Sequence, residues 1–268
     1  MSITEEVAAG VREVTDEEVA FAAEHGWVRL PGLLSPELAG QLLQHAKALM
    51  GDEGAARVNE PSTLLAATFF ESFNRPGDVD PLFREVYESR TFGANTARLL
   101  GRDSGIRMLT HTLAVKLPVS AQPDRGQPTD FHQDYSRLLP FDRNSLGFWI
   151  ALDEVTPDQG PLQFYSGSHK LGLLGGAKDI LAYPRIHELE LSAPPHLMAG
   201  DATAHFSLTV HGATENASDR PRWAQIVHNF PADTLFTGKP NKYTKDLDVE
   251  PFSELDFAEF PVIYQPAA

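Results

Sequence analysis

The sequence predicts a mainly β fold with flanking helices: an antiparallel barrel or jelly roll, buttressed by N-terminal helices. Three observations lead there. Up to about residue 105 the chain is punctuated by helix caps and stops. After Gly101 it turns to short apolar runs separated by Pro-, Gly- and Asp-bearing turns, with no helices alternating between them, which is the pattern of antiparallel β architectures. At 268 residues, 42% hydrophobic and 22% charged, the chain has the composition of a globular protein able to bury a large core. One domain over 1–268 is therefore expected, with a helical buttress over 1–105, the β core over 106–230 and a tail over 231–268 near the site.

Taken in order, residues 1–14 read as a loose arm. Thr15-Asp16-Glu17-Glu18 is a capping box that opens a helix, and Gly26 closes it after His25. Trp27-Val28-Arg29-Leu30 reads as a short strand that ends at the turn Pro31-Gly32. Ser35 as N-cap and Pro36 at the first helical position start a second helix, which runs to about Met50 and stops at Gly51. Between 52 and 80, Pro61-Ser62 could start a helix through Phe69 and Phe70, and Asn74-Arg75-Pro76-Gly77 is a turn. Pro81 to Ser89 and Thr91 to Leu100 look helical. Strand candidates follow at Arg107–Leu117, Leu146–Leu152, Leu162–Tyr165, Ala202–Val210 and Trp223–Asn229, with a polar loop at 118–130. Neither an internal repeat nor a low-complexity tract is present.

Composition excludes several function classes. With no cysteine there are no disulfides, thiolate metal sites or cysteine nucleophiles. No secretory signal or membrane span is recognisable, so a cytoplasmic protein is expected. A formal net charge of −15 argues against nucleic acid and anionic membrane surfaces as partners, and weakly against polyanionic substrates such as acyl-CoA. By itself the charge is equally that of a solubilising surface.

The chemistry concentrates around Phe131-His132-Gln133-Asp134. In an extended segment residues i and i+2 project to one face, so His132 and Asp134 can converge on one cation. A second, distant imidazole would complete a 2-His-1-carboxylate face of the kind that suits non-haem Fe(II) and leaves positions open. An H-x-D triplet alone is equally a surface hydrogen-bonded pair, but this one follows a polar loop and precedes a strand, where barrel-mouth chemistry collects. Two histidines could supply the third ligand. His205 and His211 are six residues apart and would face the same side of a regular strand; His205 is read as a core histidine or a group beside the ligands. Arg222 starts an apolar strand. Buried there, its guanidinium needs a carboxylate, either in a salt bridge within the protein or on a ligand, with Arg220 competing for the role.

Together, Phe131-His132-Gln133-Asp134, the Gly160–His169 segment (GPLQFYSGSH), Gly200-Asp201, His211-Gly212, Asn216, Ser218 and Arg222 resemble the phytanoyl-CoA dioxygenase family of Fe(II)- and 2-oxoglutarate-dependent oxygenases, over about residues 20–230. The resemblance implies a double-stranded β-helix, or jelly-roll, core. It implies His132, Asp134 and His211 as iron ligands and catalytic residues, and Arg222 gripping the distal carboxylate of 2-oxoglutarate. Trp149 and Leu113 would line the co-substrate pocket, where the alternative for both is plain core packing. It also implies Fe(II), 2-oxoglutarate and O2 as cofactor and co-substrates. Asn216-Ala217-Ser218 matches a glycosylation sequon but is assigned to the family motif. Two positions depart from the family: Ala213 stands where a serine would donate to the co-substrate, with Thr214 a candidate substitute, and Ser166-Gly167-Ser168-His169 replaces Pro-Gly-Ser-His.

On this reading the protein is an oxygenase that oxidises an unactivated C–H bond of a small molecule. The carboxylate at Asp134 favours hydroxylation over halogenation, while epimerisation, desaturation and ring closure use the same triad. Natural-product tailoring, as in antibiotic biosynthesis, and an apolar or polycyclic substrate are expected. Its pocket would be formed by His111, Tyr135, Arg137, Leu138, Phe141 and the tail beyond Pro231. Two rival classes stay open: a cupin-like metal-dependent dioxygenase or isomerase without 2-oxoglutarate, and a non-catalytic jelly roll that binds small molecules.

Overall fold

Local capping chemistry fixes the first helices where the sequence marks them. In the computed structural model, which describes residues 7, 9–54, 70–121, 126–138, 141–175 and 180–267, helix α1 spans Asp16–His25. The Thr15 hydroxyl accepts from the Glu18 amide (3.2 Å) while Glu18 accepts from the Thr15 amide (2.8 Å). Strand β1 is Trp27–Leu30, and helix α2 is Pro36–Met50 with Ser35 as N-cap. Leu38, Leu42, Ala46 and Met50 recur at four-residue spacing and are fully buried; each leucine so removed from water contributes about 2 kcal/mol. Strand β2 (Glu71–Asn74) precedes helices α3 (Pro81–Tyr87) and α4 (Arg90–Leu100). The strands that follow are β3 Ile106–Lys116, β4 Thr129–His132, β5 Leu146–Ala151, β6 Leu162–Phe164, β7 Ala202–Phe206, β8 His211–Ala213, β9 Arg222–Pro231 and β10 Val262–Tyr264.

These strands form two antiparallel sheets. A seven-stranded sheet runs β1-β7-β5-β9-β3-β10, with β2 also paired to β3, and a three-stranded sheet runs β4-β8-β6. Period-two alternation divides the large sheet's residues between two faces. Leu113 and Val115 of β3, Phe148 and Ile150 of β5, and Trp223 and Val227 of β9 pack with Leu42, Phe83 and Phe92 of the helices in one apolar cluster. The opposite face, with Thr110, Thr112, Trp149, His205, Arg222, Ile226 and His228, lines a pocket closed on its other side by His132, His211 and Ala213 of the small sheet. Two sheets facing each other across a pocket, with helices on the outside of the larger, are a jelly roll with an N-terminal buttress.

The structure corrects several expectations. Residues 9–14 are not a loose arm: Val11 and Val14 are buried, and the Val14 amide is tied to the Asn95 side chain (2.9 Å). The helix expected from Pro61 lies largely outside the described residues, and the segment after it, Glu71–Asn74, is a strand because β3 offers it an edge. The strand expected over Ala202–Val210 ends at Phe206, where the Thr209 amide turns back to the Phe206 carbonyl (2.8 Å). That turn carries the chain from the large sheet to the small one, so His205 and His211 do not share a strand.

Candidate metal centre

His132 is the last residue of β4 and His211 the first of β8, directly paired across the small sheet. Asp134 is not on a continuing strand: a 3-10 turn, Asp134–Arg137, starts there. The carboxylate therefore reaches the imidazoles by a turn and not by strand alternation. One ligand atom from each of His132, Asp134 and His211 lies within 4.8 Å of the others, and among the described residues this is the cluster able to hold a metal.

Hydrogen bonds behind the site fix which atoms face it. Nδ1 of His132 lies 2.8 Å from the Asp130 carbonyl and Nδ1 of His211 lies 3.0 Å from the Thr209 carbonyl. A carbonyl can only accept, so both Nδ1 atoms carry the proton and both Nε2 atoms keep a lone pair for a metal. Gln133, fully buried between the two ligands of its triplet, donates to the carbonyls of Gly172 (2.8 Å) and Leu208 (2.6 Å) and accepts from the Leu174 amide (2.8 Å). Ser168, from the GPLQFYSGSH segment, accepts from the Val210 amide (2.8 Å) immediately before His211.

The carboxylate of Asp134 is oriented by the large sheet. Its Oδ2 lies 3.2 Å from Nε2 of His205 on β7 and 3.0 Å from Nε2 of His228 on β9, while Oδ1 faces Nε2 of His132 at 3.4 Å. Two imidazole N–H groups thus occupy one oxygen and leave the other toward the metal position. His205, Gly147 and His228 are direct cross-strand partners. A side chain at Gly147 would put a Cβ 3.0 Å from the His205 ring and 3.2 Å from Nε2 of His228, so the glycine is what lets two imidazoles flank one carboxylate. Burial alone would raise the Asp134 pKa, but the surrounding imidazoles, with His205 and His228 donating to its Oδ2, hold it well below the ordinary range. Burial, then neighbouring His205 and His132, keeps His211 well below its ordinary value and hence neutral, the form a metal needs.

Arg222 lies at the other end of the pocket's sheet face. It is buried, its Nη1 donates to the Gly160 carbonyl, and its guanidinium lies over the Trp149 ring at 5.0 Å. Gly160 has φ +66° and would drive a Cβ to 2.3 Å from the Thr214 carbonyl, so only glycine brings that acceptor so close. Trp149, Leu162 and Ala213 line the pocket with Arg222. Among the described residues no carboxylate pairs with Arg222, and its Nε has no hydrogen-bond partner. Burial pulls its pKa down to about 9, which leaves it charged at neutral pH. Arg220, the competing candidate, instead pairs with Glu154 at the surface (3.5 Å).

Beside Arg222, and paired with it across β3 and β9, is fully buried Lys116. Its Nζ donates to the Thr214 carbonyl (2.8 Å) and lies 3.5 Å from the Thr129 hydroxyl. Burial first and the Arg222 charge second lower its pKa to about 6. Thr129, opposite Ala213 on β4, lines the pocket. Thr214 is exposed and has its carbonyl turned to Lys116, so the hydroxyl available at this end is that of Thr129. Asn216 is buried, with its amide donating to the Lys116 and Arg220 carbonyls (2.8 Å each). Its place in the motif is to fasten the end of β3 to the turn that enters β9.

Of the other candidates, Trp149, Arg137 and Leu138 line the pocket. Leu113 faces the helices in the apolar core, one residue out of phase with Thr112, which does line it. His111 is likewise on the helix side, 5.8 Å from the Tyr87 ring. Tyr135 turns its hydroxyl to the Phe141 carbonyl (2.7 Å), and Phe141 packs in an apolar cluster with Phe230 and Leu255. The tail beyond Pro231 reaches the pocket through Lys242 and Tyr243, as expected, whereas His228, an interior histidine in a strand pattern, was not foreseen. The signal for His228 was its even spacing from Arg222, which puts both on one strand face.

An iron(II) ion with a chelating 2-oxo acid fits these residues. The triad supplies two imidazoles and one carboxylate, and the pocket, about 1040 Å³ including its open mouth, has a buried guanidinium that pairs with no carboxylate among the described residues and could take a second carboxylate.

Residues 22–224 match the family described as phytanoyl-CoA dioxygenase (PhyH). Phytanoyl-CoA dioxygenase 1 of Oryza sativa subsp. japonica is 26% identical over 193 residues, covering 68% of this chain and 66% of that protein. The chain thus spans a little under two thirds of this curated relative. Among solved structures, the non-haem alpha ketoglutarate dependent carbocyclase SnoK from nogalamycin biosynthesis superposes with TM-score 0.76 at 24% identity, covering 94% of this chain and 99% of that one. The epimerase SnoN, in complex with Fe3+, alpha ketoglutarate and nogalamycin RO, gives 0.75 at 23% identity, covering 92% and 98%. At these identities the likeness is one of fold.

Proposed function

The chain belongs to the phytanoyl-CoA dioxygenase family, and from that premise we propose that it is a non-haem Fe(II)- and 2-oxoglutarate-dependent dioxygenase that hydroxylates a C–H bond of a small organic molecule. The observation that carries the reading is Arg222. Keeping a guanidinium charged in an apolar surrounding without an acid is costly, and the cost is offset when a ligand's carboxylate meets the fork. A metal triad and a carboxylate receptor in one pocket are what a chelating 2-oxo acid requires.

In this reading His132 and His211 bind iron through Nε2 and Asp134 through Oδ1. His205 and His228 hold the remaining carboxylate oxygen so that the acid stays ionised and correctly turned. Arg222, backed by Trp149, receives the far carboxylate of 2-oxoglutarate, and the Thr129 hydroxyl takes the place left by Ala213. Iron with 2-oxoglutarate and O2 supplies the oxidation: the co-substrate is converted to succinate and CO2, one oxygen atom going to succinate and one to the substrate. The apolar walls at Trp149, Leu162 and Ile226 exclude water from the co-substrate end. Likeness to the carbocyclase and the epimerase of nogalamycin biosynthesis supports a role in tailoring natural products, with ring closure or epimerisation as the variants of the same triad. Residues 1–268 act as one catalytic unit.

The test is anaerobic addition of 2-oxoglutarate to the Fe(II) protein. A weak visible charge-transfer band that fades in Arg222→Ala is expected. A metal-bound protein with no band would point to the cupin-like alternative, and failure to bind iron to a plain binding fold.

A further inference from the structure

The pocket has a second cationic place, unrelated to Arg222. Arg137 ends the 3-10 turn that begins at Asp134, and Lys242 stands on the tail; both line the pocket together with Leu109, Leu138 and Tyr243. The two are built to stand together. Asn241 caps its own turn, accepting from the Tyr243 amide (2.8 Å) and the Thr244 amide (3.2 Å), and its side-chain amide donates to the Arg137 carbonyl (2.8 Å). This clamp joins positions 104 residues apart in sequence. Partial desolvation against the pocket wall, and then the Arg137 charge, lower the Lys242 pKa.

Among the described residues neither cation forms an ion pair with a carboxylate, in a chain with 37 acidic and 22 basic residues. Where acids outnumber bases so heavily, two adjacent cations without one call for an explanation, because like charges held together disfavour each other. Their location separates them from the co-substrate end. Arg222 and His228 are six positions apart on β9 (228 − 222), roughly 20 Å of strand at about 3.3 Å per residue, and His228 already touches Asp134. On β3, Leu109 lies beyond the Thr110–His228 pairing, away from the Lys116–Arg222 pairing, and it packs with Leu138 next to Arg137, so the pair stands at the end of the pocket away from Arg222. Beside the pair the wall is apolar: Leu109 and Leu138 belong to one cluster with Tyr243 packed on it. The bulge in β3 between Met108 and Thr110 lets both Leu109 and Thr110 reach the pocket.

We propose that Arg137 and Lys242 form an anion subsite at the pocket mouth, so that the substrate is amphipathic: a carboxylate or phosphoryl group held by the pair, with a hydrocarbon part lying over Leu109 and Leu138 toward Asp134. This deepens the oxygenase reading and rests on it for the oxidation, though not for the binding. It replaces a purely apolar substrate with one bearing a single anionic group, and places the oxidised carbon away from that group. The chain's overall negative charge does not oppose it, because at about 0.15 M salt distant surface charges are screened within about 8 Å.

The experiment uses the Fe(II) protein saturated with anaerobic 2-oxoglutarate, which fills the Arg222 end, and titrates it calorimetrically with octanoate, octyl phosphate and octan-1-ol. At least one anion is expected to bind about ten-fold or more tightly than the alcohol, the magnitude of one charge-assisted contact. Whichever anion binds more tightly identifies carboxylate or phosphoryl as the headgroup. The preference is expected to vanish in Arg137→Gln/Lys242→Gln and to survive in Arg137→Lys. Equal binding of anions and alcohol, no binding of either anion, or a preference that persists in the double variant overturns the proposal. The 2-oxoglutarate band reports separately on the underlying reading. Its absence from wild type would sink the oxygenase while the anion preference could still be measured without metal, and its presence with no anion preference would sink the subsite alone.

Discussion

The two ends of the pocket solve the same electrostatic problem with different materials. At the inner end Arg222 and Lys116 sit on neighbouring positions of β9 and β3, buried, with Trp149 against the guanidinium and Leu162 in the same pocket wall. At the mouth Arg137 and Lys242 sit on a 3-10 turn and a tail segment, half-buried and exposed respectively, joined by one side-chain amide. A guanidinium fixed on a central strand cannot move without disturbing the sheet, whereas turns and tails change length and composition at little cost. The inner end suits a ligand shared across a family, and the mouth suits the ligand that differs between members.

The sharpest way to break this division is at the triad between the ends. Asp134→Ala removes a metal ligand and the shared acceptor of His205 and His228. It should abolish stoichiometric iron binding and lower succinate formation by roughly a thousandfold, as read by metal analysis and product assay. Next, Arg222→Leu should weaken 2-oxoglutarate by about a hundredfold, the worth of charge-assisted hydrogen bonds of roughly 1.5–3 kcal/mol. In the absence of co-substrate it should leave the unfolding midpoint unchanged or raised, because a buried charge with no acid partner among the described residues is gone. A fall in both affinity and stability would mean the guanidinium is structural and that the inner end is not a receptor.

Gly147→Ala should lower iron affinity about tenfold by pushing His205 and His228 off Asp134, as losses of such supporting contacts do. Its near-absence of effect would show that the two imidazoles do not orient the carboxylate. The last effect is a slope and not a loss. Lys116 titrates at about 6 in the fold against an ordinary 10.5, so between those values the unfolded chain holds a proton that the fold has released. Its contribution therefore makes stability rise with pH across that window, by at most about 1.4 kcal/mol per unit. Denaturant midpoints of the co-substrate-free protein from pH 6 to 9 should show this rise, and Lys116→Met should flatten it.

How much of this could be read from residues alone depended on distance along the chain. Capping chemistry is settled within four residues, so the starts of α1 and α2 at Thr15 and Ser35 followed from the sequence. Glu71–Asn74 carried no strand signal strong enough to outweigh its surroundings, and became β2 only because β3 presented an open edge. His132 and Asp134 were correctly paired, but for a reason the fold does not use, since a turn and not strand alternation brings them together. Leu113 went to the helix side because the alternation of β3 places Thr112 toward the pocket and its neighbour away from it.

The sequence by itself determined the chemistry on offer: two histidines and an aspartate in family order, one arginine entering an apolar strand, no cysteine, and helices before strands. Only the tertiary structure decided which groups meet. That His205 and His228 share one oxygen of Asp134, that Gly147 makes room for them, that Arg222 has no acid among the described residues, and that Arg137 and Lys242 stand together are all consequences of strand register and of a tail folding back. Such contacts form between residues tens to a hundred positions apart. Their energies depend on burial and on what does not lie nearby, and neither is a property of any short stretch of chain.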